Sequence, residues 1–347
     1  MSLGKAINAG IVQELHNLGN ADQPEVHLIY PFPISQHAKR LKNDILERIR
    51  QKYPEHDCQL QISWKVRSHA VQQHLKPLSG IKNIIAIASG KGGVGKSTTA
   101  VNLAIALAQE GAAVGILDAD IYGPSIPSML GLSGTKPESP DGKSIEPLQA
   151  HDIKCMSIGF LVGEDQPMVW RGPMVTQALT QLLMDTRWGE LDYLIVDMPP
   201  GTGDTQLTLS QRVPLSGAVI VTTPQNIALL DAKKGLQMFN KVNVRILGVL
   251  ENMAAFVCPH CGEESDIFGS HGGAEMARDY QTQLLASVPL STRIREEIGA
   301  GNPTVAADPE STVAKAYRHA ALRMLASLAQ SQKDYSSKFP NIVVENT

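Results

Sequence analysis

The chain has 347 residues, of which 43% are hydrophobic, and carries a formal net charge of −3. That length accommodates two domains, or one large α/β domain with an appendage, and the charge lacks the basic footprint of a nucleic-acid binder. Four cysteines are too few for a disulfide scaffold in a chain of this size. No stretch approaches the roughly 20 apolar residues of a spanning helix, and residues 1–5 carry no signal-peptide pattern. The expectation is a cytoplasmic protein with reduced thiols that engages neither nucleic acid nor membrane.

Residues 1–77 read as a small α+β domain. Val26-His27-Leu28-Ile29-Tyr30 is a short strand closed by Pro31 and Pro33. Ala38, Leu41, Ile45, Leu46 and Ile49 recur at helical spacing, and Leu60 to Val66 alternates as a half-buried strand does. Residues 78–82 form a linker, 83–330 a second domain and 331–347 a polar tail. The second domain alternates continuous apolar runs with helical patterns. The runs begin with Ile84-Ile85-Ala86-Ile87-Ala88 and Ala113-Val114-Gly115-Ile116-Leu117, followed by Tyr193 to Val196, Ala218 to Val221 and Ile246 to Leu250. Helices are expected at 98–110 and 227–239. Such runs suit strands buried on both faces, and the alternation predicts a doubly wound, mostly parallel α/β sheet. Met174, Leu179, Leu182, Leu183 and Met184 are expected to form one core stripe. Val313, Tyr317, Ala320, Met324 and Leu328 are expected to line a packed terminal helix rather than a membrane-targeting one.

The first apolar run leads straight into Gly90-Lys91-Gly92-Gly93-Val94-Gly95-Lys96-Ser97-Thr98, which satisfies G-x-x-x-x-G-K-[ST] between a strand and a helix. Glycines let backbone N–H groups close around phosphate oxygens, and the helix N-terminus adds a favourable dipole. Lys96 is expected on the β- and γ-phosphates of ATP and Ser97 on Mg²⁺. The second run ends in Asp118-Ala119-Asp120 and a later one in Asp197, a Walker B pattern in which Asp197 holds Mg²⁺, through water. Pro199-Pro200-Gly201-Thr202-Gly203-Asp204 follows as a hinge-rich loop suited to sensing the γ-phosphate.

Cys258-Pro259-His260-Cys261 offers two thiolates, whereas a tetrahedral zinc or a cubane cluster needs about four ligands. Cys58 and Cys155 are single and distant. Half a site per chain fits a centre shared by two chains across a two-fold axis. A redox dithiol, a structural zinc completed by His260 or His271, and idle surface cysteines are the competing readings.

Two resemblances gather these residues. The K-G-G-x-G-K-[ST] loop resembles the deviant Walker A loop of MinD-type partitioning ATPases, nitrogenase iron protein and arsenite ATPases. That likeness implies that Lys91 reaches the nucleotide of a partner subunit, that Asp120 positions the attacking water and that Asp118 supports the magnesium shell, making Lys91, Lys96 and Asp120 the catalytic set. It also implies that Asn252, in Glu251-Asn252-Met253, contacts adenine. An ordinary strand-terminating turn is the alternative for the Asp118 pair.

Over residues 78–330 the chain is similar to the Mrp/ApbC family of P-loop iron–sulfur cluster carriers. The likeness rests on Gly80 to Ile85, Leu117 to Ser125, Trp170-Arg171-Gly172-Pro173-Met174, Asp197 to Asp204, Thr223-Pro224-Gln225, Glu251-Asn252-Met253, Cys258-x-x-Cys261 and Ile267-Phe268-Gly269-x-x-Gly272-Gly273. It implies a homodimer that binds ATP and Mg²⁺ and carries a labile 4Fe–4S cluster between subunits. The cluster passes from scaffold proteins to apo iron–sulfur proteins, with slow ATP hydrolysis. Residues 1–77 match a reduced form of the small domain that opens bacterial members, without its Asp-Pro-Glu loop and cysteine. The rival functions are a MinD/ParA-like positioning ATPase and a zinc-bridged regulatory dimer. A positioning ATPase needs a basic amphipathic terminus or patch, which the sequence lacks.

Overall fold

Proline and glycine punctuation divides the chain into a small three-stranded unit and a large sheet flanked by helices. The computed structural model describes residues 14–17, 25–55, 57–161, 172–258 and 260–331. The small unit comprises β1 (Glu14–Asn17), β2 (Glu25–Tyr30), α1 (Ser35–Lys52) and β3 (Gln59–Trp64). β2 is central, antiparallel to β1 and parallel to β3. The half-buried Leu41, Ile45 and Leu46 of α1 pack on a core that includes Leu28, Tyr30 and Leu60.

The large sheet contains β4 (Ile81–Ser89), β5 (Val114–Asp118), β6 (Leu148–Ala150), β7 (Ile153–Ser157), β8 (Leu191–Asp197), β9 (Gly217–Thr222), β10 (Ile246–Val257), β11 (Glu264–Ser265) and β12 (Leu284–Leu290). The longer helices are α2 (Lys96–Gln109), α4 (Gly172–Asp185), α5 (Asp204–Arg212), α6 (Asn226–Lys241), α7 (Gly272–Asp279), α8 (Thr292–Gly299) and α10 (Thr312–Ala329). Two single turns, α3 (Ile126–Met129) and α9 (Thr304–Ala307), complete the set. The strand order is β11-β10-β9-β4-β8-β5-β7-β6, with β12 also on β10. Pairing is parallel except for β6 on β7 and β11 on β10.

The apolar runs are buried as expected: Ile85, Ile87, Ile116, Ile195 and Val219 are wholly shielded from solvent. Each such side chain contributes about 1.5–3 kcal/mol relative to exposure. The sequence reading missed β1, β6, β7, β11 and β12. They are short or interrupted by polar residues, and β12 carries Pro289, which ordinarily argues against a strand. Two further expectations are corrected. Met174 and Met184 are more than half exposed, and the core stripe of α4 is Val175, Leu179, Leu182 and Leu183. The stripe follows positions i, i+4, i+7 and i+8 from Val175, which turns both methionines outward. β4 begins at Ile81, inside the expected linker, and α2 begins at Lys96 rather than Thr98. α10 buries Tyr317, Ala320, Met324 and Leu328 as anticipated. Trp170, Arg171 and most of the expected polar tail lie outside the described residues.

The small unit meets the large one where the phosphate-loop helix ends. Glu110, its side chain fully buried, lies 2.8 Å from His37 Nδ1 and accepts from the backbone N–H of Gln36. Burial pushes its carboxyl up, and His37 opposes the shift. The strap that follows β3 is pinned by Gln72, which donates to the Ser210 carbonyl and accepts from Leu215 N–H.

Candidate functional site

Parallel pairing brings the carboxyl ends of β4, β5, β8, β9 and β10 to one edge of the sheet, where ligands bind in folds of this kind. The register sets Asp118 beside Asp197 and Ser157 beside Asp118, so the acidic residues of separate strands share one row.

The phosphate loop joins β4 to α2. Gly93 and Gly95 adopt φ of +79° and +82°, left-handed values that glycine takes without strain. An added Cβ at Gly95 would lie 2.1 Å from Asn252 Nδ2, and one at Gly90 would lie 2.0 Å from the Asp231 backbone in α6. The loop is therefore wedged between β10 and α6, with Ser89 Oγ donating to the Lys91 carbonyl. Gly92, Val94, Ser97 and Thr98 occupy the expected turn and first helical residues.

Lys96 is buried, with its ammonium 2.6 Å from Asp197 Oδ1, 3.8 Å from Asp120 Oδ2 and 3.4 Å from Ser97 Oγ. The structure thus brings together Lys96, Ser97, Asp120 and Asp197. Burial raises the pKa values of Asp120 and Asp197, and Lys96 opposes it in both. Asp197 Oδ2 is buried without a hydrogen-bond partner. An orphaned carboxylate oxygen beside a serine hydroxyl fits a hydrated divalent cation, the chemistry expected of Mg²⁺.

Asp118 is committed elsewhere. Its Oδ1 accepts from Asp120 N–H, and its Oδ2 from Ile126 N–H and Ser157 Oγ. It shapes the 119–126 turn, so any support it lends a magnesium shell is indirect. Burial first, and the Asp197 charge second, push its pKa from 3.8 up to about 7. Ser157 was missed at the sequence level, because β7 gave no strand signal.

Lys91 Nζ donates to Gln225 Oε1 at 3.3 Å. Asn252 is buried and donates to the Val94 carbonyl at 2.9 Å, so its side chain sits on the phosphate loop itself. Its neighbour Glu251 accepts from Gly273 N–H and Ser287 Oγ, tying β10 to α7 and β12. Sequence reasoning gave Glu251 no role, since a lone carboxylate after an apolar run carries no signal of burial.

Cys258 and Cys261 occupy the tip of a hairpin formed by β10 and β11, which projects beyond the carboxyl edge. Cys258 is half-buried and Cys261 exposed. The turn closes through Cys258 N–H to the Glu263 carbonyl and Gly262 N–H to the Cys258 carbonyl. Gly262 takes φ +75°. Backbone N–H groups of Cys261 and His260, in that order, lower the Cys258 pKa, which favours the thiolate that binds metal. The turn that follows β11 passes near Pro224, whose carbonyl oxygen is 3.6 Å from where a Gly269 Cβ would lie. Among the described residues no group of three or more His, Cys, Asp or Glu is placed to hold a metal ion.

Strand, glycine loop, buried lysine and Walker B carboxylate define a P-loop NTPase. The chain belongs to the family whose model, described as ParA: NUBPL iron-transfer P-loop NTPase, matches residues 80–325. This membership places it among nucleotide hydrolases. It is 55% identical over 272 residues to an iron–sulfur cluster carrier protein of Escherichia coli, covering 77% of this chain and 73% of the relative. It is 53% identical over 258 residues to the iron–sulfur cluster transfer protein NUBPL of Mus musculus, covering 74% and 81%. A solved Archaeoglobus fulgidus nucleotide-binding protein in complex with ADP matches at TM-score 0.57 and 39% identity, over 65% of this chain and 88% of that one. The cell division ATPase MinD of Pyrococcus furiosus matches at TM-score 0.52 and 25% identity, over 70% and 98%. No helix among the described residues is long and apolar enough to cross a membrane.

Proposed function

We infer that the chain is an ATP-dependent iron–sulfur cluster carrier of the cytoplasm, engaging neither membrane nor nucleic acid. Two copies hold a labile 4Fe–4S cluster between their Cys258 and Cys261 thiolates, receive it from scaffold proteins and deliver it to apo iron–sulfur proteins. One observation carries this reading. Each chain presents a two-thiolate tip with no third protein ligand grouped among the described residues, half of what a cubane cluster requires. Membership in the iron-transfer family and the names of the cited relatives support it.

The same edge supports slow ATP hydrolysis. Backbone N–H groups of residues 90–98 cradle the phosphates, and Lys96 exchanges Asp197 for the β- and γ-oxygens. Ser97 and Asp197 would hold Mg²⁺ there, and the ion would supply neutralising charge for the phosphates. Asp120, with a raised pKa, orients the attacking water and accepts its proton. Asn252 borders the adenine. Lys91 leaves Gln225 for the nucleotide of the second subunit, which makes ATP a ligand of the dimer.

Anaerobic reconstitution with iron and sulfide tests the carrier role. The native chain is expected to bind about four iron and four sulfide per dimer. A Cys258→Ala, Cys261→Ala protein that still takes up both would falsify the shared-cluster reading. Uptake of zinc to the exclusion of iron would establish the zinc-bridged alternative. Equal dimerisation of the native and Lys91→Ala chains in ATP would remove the trans role of Lys91.

A further inference from the structure

β10 changes character partway along its length. It pairs with β9 as far as Glu251 and with β12 as far as Asn252, and the next partner on β12 is Phe256 against Leu290. Four residues of β10 thus run against two of β12, a bulge. Within it Met253 takes φ +56°, a left-handed value that side-chain-bearing residues rarely adopt. Before the bulge, Glu251 clamps the strand to Gly273 and Ser287, and Asn252 grips the Val94 carbonyl. From Met253 to Val257 the strand is only half-buried, keeps one partner on β12 in the Phe256–Leu290 pair, and then runs into the cysteine hairpin. A fixed root, a bulge and a projecting arm follow one another within eight residues.

We propose that Asn252 and Met253 are positioning residues that convert the state of the phosphate loop into the orientation of the Cys258–Cys261 arm. Filling the loop requires Lys96 to leave Asp197 and the Val94–Gly95 peptide to settle against phosphate. Asn252, bonded to Val94 and too close to Gly95 for a methyl group to intervene, moves with that peptide. Met253 sits at the pivot. Five extended residues from Met253 to Cys258 span about 17 Å, so a turn of about 10° at the bulge displaces the thiols by about 3 Å. Bulges re-aim strands in this way. The proposal rests on the carrier reading, in which phosphate loop and cysteines serve one cycle.

The test uses the full metal-free chain under anaerobic reducing conditions, diluted until light scattering reads monomer. Iodoacetamide alkylation of Cys258 and Cys261 is timed by mass spectrometry with and without a saturating magnesium complex of a non-hydrolysable ATP analogue. The native rate is expected to change at least threefold on nucleotide binding. In Asn252→Ala, held at ten times its own Kd, and in Met253→Gly, the change is expected to fall below 1.5-fold. Asn252→Asp replaces Asn252→Ala should the latter not fold, since it keeps the shape and loses the donor. A native rate indifferent to nucleotide, or an unaltered response in both variants, overturns the proposal. Iron and sulfide uptake by the native chain reports on the carrier reading separately: absent uptake with retained coupling would sink that reading alone.

Discussion

The phosphate loop and the cysteine hairpin sit on the same edge of one sheet and are built on opposite physical terms. The loop is framed by β4, α2, α6 and β10, its lysine is buried, and its glycines at 90 and 95 are packed against neighbours that admit no side chain. The hairpin is a two-stranded projection whose cysteines are half-buried and exposed. A phosphate site must be preorganised, because its backbone donors cannot rearrange cheaply once committed. A site that hands over its cargo has to remain accessible and incomplete. The contrast teaches that one chain preorganises its phosphate cradle, while its two-thiolate tip stays open and, on the carrier reading proposed above, supplies half of a shared metal site.

The largest effect that tests this contrast is all-or-none. Cys258→Ala, Cys261→Ala is expected to abolish iron uptake while leaving nucleotide affinity within twofold and stability within about 0.5 kcal/mol, as for surface substitutions generally. Isothermal titration and urea melts check both. A marked loss of stability would mean that the hairpin is structural and would break the contrast. Next is Lys96→Ala, expected to reduce ATP hydrolysis at least ~100-fold, about 2.7 kcal/mol of transition-state stabilisation, with reconstitution of the cluster retained. Undiminished hydrolysis would overturn the loop assignment.

These expectations draw on what the sequence made legible and what it hid. The loop was legible because its chemistry is local: nine consecutive residues carry the glycines, the lysine and the hydroxyl. The buried strands were legible because burial on both faces demands unbroken apolar runs, as in Ile84 to Ala88. β7 was not, since Lys154 interrupts it and its strand character comes from pairing with β5. Asp118 reads as one of two acidic residues in a turn. Only the fold shows that Ser157 and two backbone N–H groups claim its oxygens, because those partners come from separate segments. Glu251 and Glu110 were likewise invisible, since a single carboxylate announces nothing until something buries it.

A smaller effect probes how tightly the loop is wedged. Gly95→Ala combines a left-handed φ of +82° with a Cβ 2.1 Å from Asn252 Nδ2. The backbone conformation alone costs roughly 1–2 kcal/mol, and Asn252 must give up the Val94 carbonyl to make room. A lowered urea midpoint together with weakened nucleotide binding is expected. Gly92→Ala, whose Cβ meets nothing within 4 Å, is the control and should leave the midpoint near native.

The smallest effect is a slope rather than a loss. Asp118 titrates at about 7 in the folded chain against 3.8 for an ordinary aspartate, and Asp197 and Asp120 are displaced in the same direction. A carboxyl with a raised folded pKa binds more protons in the native state than in the unfolded one. Its contribution is therefore fully present below about pH 4 and is lost as pH rises to about 7. A tenfold difference in proton affinity between the folded and unfolded chain is worth about 1.4 kcal/mol, so the native urea midpoint should fall measurably between pH 5 and 7.5. Asp118→Asn should flatten that fall whatever it does to absolute stability, because the readout is the slope. Saturating magnesium nucleotide should flatten it too, by favouring the ionised carboxylates. An unchanged slope in Asp118→Asn would mean that the acidic row is already ionised throughout this range. The phosphate site would then be poised for its cation at every pH, as rigid in charge as it is in shape.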